Sequence, residues 1–233
     1  MVAPAGSVYF CNDNNDYKDN NHYKKSKTNN MQTNLNAALP TIGILIFDEF
    51  LTNEVVAPMD VFTKKDDSGK QLFNVILIAK EDKATISEEG LRVLPDFTFA
   101  NAPALNVLVV PSSNNPDNQT QDKEIIDFIR KANETTDYTA SHCAGAFMLG
   151  ESGVAEDRQI VTYCSGSQKL QQDYPRLLVM DDNMVSVVKD GKIISSNGNL
   201  VSYIASLDLL ELMTSAEHRQ YVEEQLLLSK LKN

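Results

Sequence analysis

The sequence predicts an α/β fold built on a mainly parallel sheet that is covered on both faces. Three observations carry this. Residues 41–47, 72–79 and 106–111 are continuous runs rich in Ile, Val and Leu with no polar face, as expected of strands buried on both sides. Segments with helical spacing separate these runs, and strands that alternate with helices assemble into parallel sheets. A strand-like run ending at Cys143 passes directly into the Ala-rich, helix-forming residues 144–149.

The elements follow in order. Residues 1–39 are polar, Asn-rich and without periodicity. Such a segment buries too little apolar surface to offset its ordering entropy, so it reads as a disordered tail before a folded domain at 40–233. The first strand is 41–47. Residues 52–63 follow with helical spacing of Val55, Val56, Met59 and Phe62. The second strand is 72–79, and 91–96 is a short strand ended by Pro95. The third buried strand is 106–111. Residues 123–133 form a helix with Ile125, Ile126, Phe128 and Ile129 as its apolar stripe. After the Cys143 turn come a short strand at 160–163 and a helix at 165–173, stopped near Pro175. Strands at 177–180, 184–188 and 192–195 include an antiparallel pair joined by an Asp190-Gly191 turn. A long apolar helix at 199–213 precedes a last helix to residue 228, which Ser215 caps. No internal repeat is present.

Composition narrows the function. A net charge of -11 over 233 residues leaves no basic surplus to neutralise phosphates, which argues against nucleic acid as a partner. No apolar run reaches the ~20 residues that span a bilayer, and no basic start with an apolar core marks a secretory signal. The cysteines, Cys11, Cys143 and Cys164, give no disulfide framework or C-x-x-C spacing. The histidines, His22, His142 and His218, form no H-E-x-x-H. No membrane, metal or cofactor is expected, and the cytoplasm is the expected location.

Chemistry is expected at the carboxyl ends of the strands, where open α/β sheets place their sites. Residues 48–54, 111–114 and Cys143 all fall there. Ser141 and Gly145 flank Cys143 at two residues on either side, the small neighbours that a sharp strand-to-helix elbow needs. A thiol at such a turn lies at a helix N-terminus, which favours the thiolate. The alternative is a small hydrophobe in a buried turn.

With these segments in place, the chain resembles the ThiJ/PfpI superfamily, a branch of the class I glutamine-amidotransferase-like fold. The resemblance rests on Ser141-His142-Cys143-Ala144-Gly145-Ala146-Phe147, Glu54 through Phe62, Val109-Val110-Pro111, Gly90 through Asp96 and Ser195 through Gly198. It covers about residues 41–214 and is strongest for the isonitrile-hydratase-like branch. It implies a flavodoxin-like three-layer sandwich with a cysteine nucleophile elbow. It further implies Cys143 as nucleophile and Glu54 as its acidic partner, although Glu54 on its own also reads as a surface helix residue. Backbone N–H groups of Ala144 and of the Ser112-Ser113 turn would form an oxyanion pocket. A homodimer is expected by the same analogy.

The sequence departs from the family pattern in several places. Tyr163 stands where members carry a histidine, and near pKa ~10 it is a poor base at neutral pH. It is left an auxiliary role, to orient or donate a proton. Ser112-Ser113 replaces a Gly-Gly turn, which implies strain or a reshaped pocket if the turn needs a positive φ. Ala144 replaces a threonine. His142 precedes Cys143, and strand alternation directs it to the opposite face, so it is not expected to be the base. Cys164 reads as a buried structural cysteine, or else as a resolving thiol for an oxidised Cys143. Two functions follow. One is a cysteine-dependent hydrolase or lyase acting on a small carbonyl, amide or isonitrile through Cys143 and Glu54. The other is a noncatalytic redox-sensing or ligand-binding member of the same fold.

Overall fold

The structure is a computed structural model, and it describes residues 35–232. Of the expected tail, residues 1–34 lie outside the described residues, as do Cys11 and His22. Residues 35–39 form a turn held by Asn74. The Asn74 side chain accepts from the Asn36 amide at 3.0 Å and donates to the Asn36 and Leu39 carbonyls at 3.0 and 3.1 Å.

The strands are β1 (Thr41–Leu45), β2 (Asn74–Ala79), β3 (Thr85–Ile86), β4 (Arg92–Val93), β5 (Phe97–Thr98), β6 (Val107–Val110), β7 (Tyr138–His142), β8 (Gln159–Ile160), β9 (Leu178–Val179), β10 (Val187–Asp190) and β11 (Ile193–Ser196). The helices are α1 (Thr52–Phe62), α2 (Asp117–Thr120), α3 (Lys123–Thr135), α4 (Gly145–Ser152), α5 (Ser167–Asp173), α6 (Val201–Met213) and α7 (Ala216–Gln225), followed by a 3-10 turn at Leu228–Lys232.

Seven strands form one sheet in the order β10-β11-β7-β6-β1-β2-β5. Every pairing in it is parallel except the β10–β11 hairpin. The central strands are buried along their whole length, as their unbroken aliphatic sequences require. The helices fall into two groups. α6 packs against both α1 and α7, and α2 to α5 form the other set, which gives three layers. β1 and β6 are the strands where the chain reverses its direction of travel across the sheet, since β1 leads to β2 and β6 leads to β7 on the other side. A crevice opens outside the carboxyl ends of strands at such a point.

Two helices show how local sequence fixes their position. Asp122 caps α3 by accepting from the Glu124 and Ile125 amides, and Ile125, Ile126 and Ile129 face the core. α1 has no side-chain cap of its own at Leu51. Its cap comes from the β3–β4 hairpin, where Glu89 accepts from the Thr52 amide at 3.0 Å and from the Thr52 hydroxyl at 2.5 Å.

The structure alters some local expectations. The strand expected at 160–163 is confined to β8, which pairs with β9 in a separate two-stranded sheet. The ladder stops because the Val161 amide donates to Ser195 Oγ at 2.9 Å, and Asn197 Nδ2 donates to the Thr162 carbonyl at 2.7 Å. The strand expected at 184–188 is shifted forward to β10, with Met184 and Val185 in the preceding turn. The last helix ends at Gln225.

Candidate active site

Cys143 sits between β7 and α4 with φ +51. A non-glycine residue in this region carries strain of order 1–3 kcal/mol, and surrounding contacts must hold it there. Three do. The Cys143 amide donates to the Ser196 carbonyl of β11 at 2.9 Å. Its carbonyl accepts from the Thr162 hydroxyl at 2.9 Å and from the Ala146 amide at 3.4 Å. Gly145 makes the turn possible sterically, because a Cβ there would lie 2.4 Å from the Val110 carbonyl oxygen. The elbow helix can approach β6 only with glycine at this position. The Cys143 side chain is partly exposed.

Glu54, in the first turn of α1, is fully buried. Its Oε2 accepts from the Ser112 amide at 2.7 Å, and its Oε1 accepts from the Asn199 amide at 3.2 Å. Gly198 fixes the relation between carboxyl and thiol. A Cβ on Gly198 would lie 2.3 Å from Glu54 Oε1 and 2.4 Å from Cys143 Cβ. The two side chains therefore flank one glycine and are separated by no more than the sum of those distances. The surface reading of Glu54 is excluded by its burial.

The electrostatics follow from this proximity. Burial raises the Glu54 carboxyl above its usual range, against the lowering effect of its bonds to Ser112, Asn199 and Cys143. Burial, and then the charge of Glu54, push the Cys143 thiol up to about 12. The Ser112 hydroxyl and the Ala144 amide act in the opposite direction on the thiol. Two acids this close titrate as a pair, and the second charge is the costly one. Ser112 Oγ is buried near enough to both groups to perturb them, yet it completes no well-formed hydrogen bond among the described residues.

The other expected site residues are placed as follows. The Ser112 amide is engaged by Glu54, so it is not free to hold a negative charge on a substrate. Neither Ser112 nor Ser113 has a positive φ, so the serine turn carries no left-handed strain. Ser113 is buried, with its hydroxyl donating to Gln119 Oε1 at 2.6 Å. Ala144 presents its amide to the Cys143 sulfur. His142 is buried with Nδ1 2.8 Å from Ser196 Oγ, and burial lowers its pKa to about 3. Tyr163 stacks on Phe147 of α4, with ring centroids 6.1 Å apart, and makes no side-chain hydrogen bond to Cys143 or Glu54 among the described residues. Cys164 is exposed, which corrects the expectation of a buried structural cysteine. It follows the early end of β8, where Cys164 and Ser165 reach the surface between buried Thr162 and Gly166.

Residue type alone did not identify the Asn199 amide or the role of Gly198. The available signal was a Gly-Asn pair directly after a strand, and both residues have a positive φ, +84 and +49. A separate cavity of about 380 Å³ opens outside β1 and β2, lined by Phe47, Glu49, Lys80, Thr85, Phe99 and Gln119 among others, and Cys143 is not in its wall. Among the described residues no group of three or more His, Cys, Asp or Glu is placed to hold a metal ion, and no helix is long and apolar enough to cross a membrane.

A parallel sheet with a cysteine elbow facing a buried glutamate from the first helix defines a recognisable class. The sequence profile of the DJ-1/PfpI family matches residues 40–211, and the chain belongs to that family. Its relatives include an isonitrile hydratase from Pseudomonas putida, 26% identical over 185 residues, which span 79% of this chain and 77% of that protein. Protein dj-1beta from Drosophila melanogaster is 28% identical over 150 residues, 63% of this chain and 78% of that protein. The crystal structure of Drosophila melanogaster DJ-1beta superposes with a TM-score of 0.70 at 23% identity, covering 81% of this chain and 98% of that one. A THiJ/PfpI family protein from Pseudomonas syringae gives 0.71 at 20% identity, covering 82% and 75%.

Proposed function

We propose that the protein is a cysteine-dependent enzyme acting on a small electrophilic carbon, with Cys143 as nucleophile and Glu54 as proton carrier. The observation that carries this is the pairing of thiol and buried carboxyl across Gly198. A resting thiol held well above neutral pH is a weak nucleophile. Glu54 removes that obstacle by accepting the thiol proton as sulfur attacks, so that two adjacent negative charges never form. The protonated carboxyl then returns the proton to the substrate.

For an isonitrile, the substrate class in the name of the Pseudomonas putida relative, the steps balance as follows. Sulfur bonds to the terminal carbon, and the thiol proton reaches that carbon through Glu54. Water adds across the resulting C=N bond. The C–S bond then breaks, releasing a formamide and restoring the thiol. The test is turnover of isonitriles, methylglyoxal and small amides by wild type and by Cys143→Ala. Activity on one of these that vanishes in the variant supports the proposal, and equal activity in both removes Cys143 from the mechanism.

One observation favours a second reading, in which Cys143 is a redox sensor without turnover. Among the described residues no imidazole or phenol is bonded to the thiol, since His142 is bonded to Ser196 and Tyr163 is stacked on Phe147. Oxidation to a sulfinic acid would then be the signal. Mass spectrometry after mild peroxide decides this, and an unmodified Cys143 counts against it. A homodimer belongs to the first proposal by family analogy, and Leu227 and Leu231 are exposed apolar residues near the C-terminus that suit such a contact. Sedimentation at monomer mass would remove it.

A further inference from the structure

His142 takes no part in the chemistry above, yet it is a fully enclosed imidazole directly beside the elbow. Its Nδ1 is 2.8 Å from Ser196 Oγ. That hydroxyl accepts from the Gly198 amide at 3.2 Å, and the Ser196 carbonyl accepts from the Cys143 amide at 2.9 Å. Ser196 therefore grips the site at two points, the elbow through its carbonyl and the 198–199 turn through its hydroxyl. The next amide along, that of Asn199, is one of the two that hold Glu54. His142 Nε2 is buried and has no partner among the described residues. A polar ring with one unsatisfied nitrogen is a costly core residue where an aliphatic one would pack. The bond at its other nitrogen is the contact that distinguishes it from leucine.

We propose that His142 is a positioning residue whose bond to the Ser196 hydroxyl locks the Gly198–Asn199 turn and so sets the coupling between Glu54 and Cys143. The inference rests on the reading of Glu54 and Cys143 as a coupled pair. Burial keeps the imidazole neutral down to about pH 3, so across the range where a thiol is assayed the ring does not titrate. Its effect is geometric.

The experiment is the pH dependence of alkylation by iodoacetamide, followed by mass spectrometry on the peptide carrying Cys143. It is run on the full chain for wild type, Glu54→Gln, His142→Leu, His142→Asn and Ser196→Ala, with thermal midpoints alongside. His142→Leu fills the space without the bond, and Ser196→Ala removes the same bond from the other side. Each is expected to lower the alkylation midpoint by about one pH unit, toward that of Glu54→Gln, because a loosened turn lets the carboxylate draw away from the thiol. His142→Asn, which keeps a polar atom near the Nδ1 position, is expected to retain the wild-type midpoint. Ser196→Ala decides the matter if His142→Leu does not fold. An unchanged midpoint in His142→Leu and Ser196→Ala overturns the proposal, as does His142→Asn behaving like His142→Leu. If Glu54→Gln also leaves the midpoint unchanged, the coupled pair itself has failed. If only Glu54→Gln shifts it, the pair stands and the positioning role falls.

Discussion

Two carboxylates serve the first turn of α1, and they behave in opposite ways. Glu89 approaches from the β3–β4 hairpin, at the surface, and accepts from the Thr52 amide and hydroxyl. Glu54 grows from the helix itself, in the interior, and accepts from the amides of Ser112 and Asn199. Each receives backbone N–H donors. For Glu89 the partial burial that raises its pKa is outweighed by the bonds from Thr52, and the net shift is downward. For Glu54 burial outweighs every bond, and the net shift is upward. Donor count does not decide the protonation state of a carboxyl. Solvent access does, and it separates a permanent anion that anchors a helix from a group able to exchange a proton with a neighbouring thiol.

Replacing the inner carboxylate should have the largest effect. Glu54→Gln keeps the shape but cannot carry a proton, and turnover of whichever substrate wild type accepts should fall by about 10²- to 10⁴-fold. A drop of less than about threefold in steady-state kcat would remove Glu54 from the chemistry.

Gly198→Ala attacks the geometry instead of the charge. Its Cβ would clash with both Glu54 and Cys143, in a backbone with φ +84. A destabilisation of about 1–3 kcal/mol is expected in denaturant titration. A variant as stable as wild type would mean that the carboxyl and thiol are not wedged against this residue.

The outer carboxylate should matter less and only for stability. Glu89→Ala removes the cap of α1, costing about 1 kcal/mol or less given its exposure. Because the folded pKa of Glu89 lies below its unfolded value, its contribution is complete above pH ~4.5 and is lost as pH falls through the lowered folded value. The gap in thermal midpoint between wild type and variant should close in acid. A gap that widens there would reverse the assignment.

Glu54 carries the opposite sign. Its folded pKa is raised, so its favourable contribution is present below pH ~4.5 and is lost as pH rises through the folded value. Relative to Glu54→Gln, wild type should lose ground on going from pH 4 to 8 in parallel denaturant titrations. A constant difference would show that the carboxyl is not perturbed.

The sequence made the central sheet, α1, α3 and the elbow legible because aliphatic runs and helical spacing report burial directly. Cys143 and Glu54 were legible as a pair through the resemblance, and their residue types suit the chemistry. The short elements were not. β5 pairs only at Ile78–Phe97 and Ala79–Thr98, and two residues carry no periodicity. The early end of β8 depends on a hydroxyl and a carboxamide from the distant segment 195–197. The Ser112 and Asn199 amides that hold Glu54 were invisible for another reason, since every residue but proline has an N–H and only the fold directs it. Of the amides expected to line the oxyanion pocket, that of Ser112 faces the Glu54 carboxyl.

The most direct test of the coupled pair is the apparent pKa of Cys143, read from alkylation rate against pH in wild type and in Glu54→Gln. Burial and the Glu54 charge together push the thiol up to about 12. Removing the charge should lower the midpoint by about one pH unit or more, while burial keeps it above that of a free thiol. Superimposable profiles for the two proteins would contradict the account.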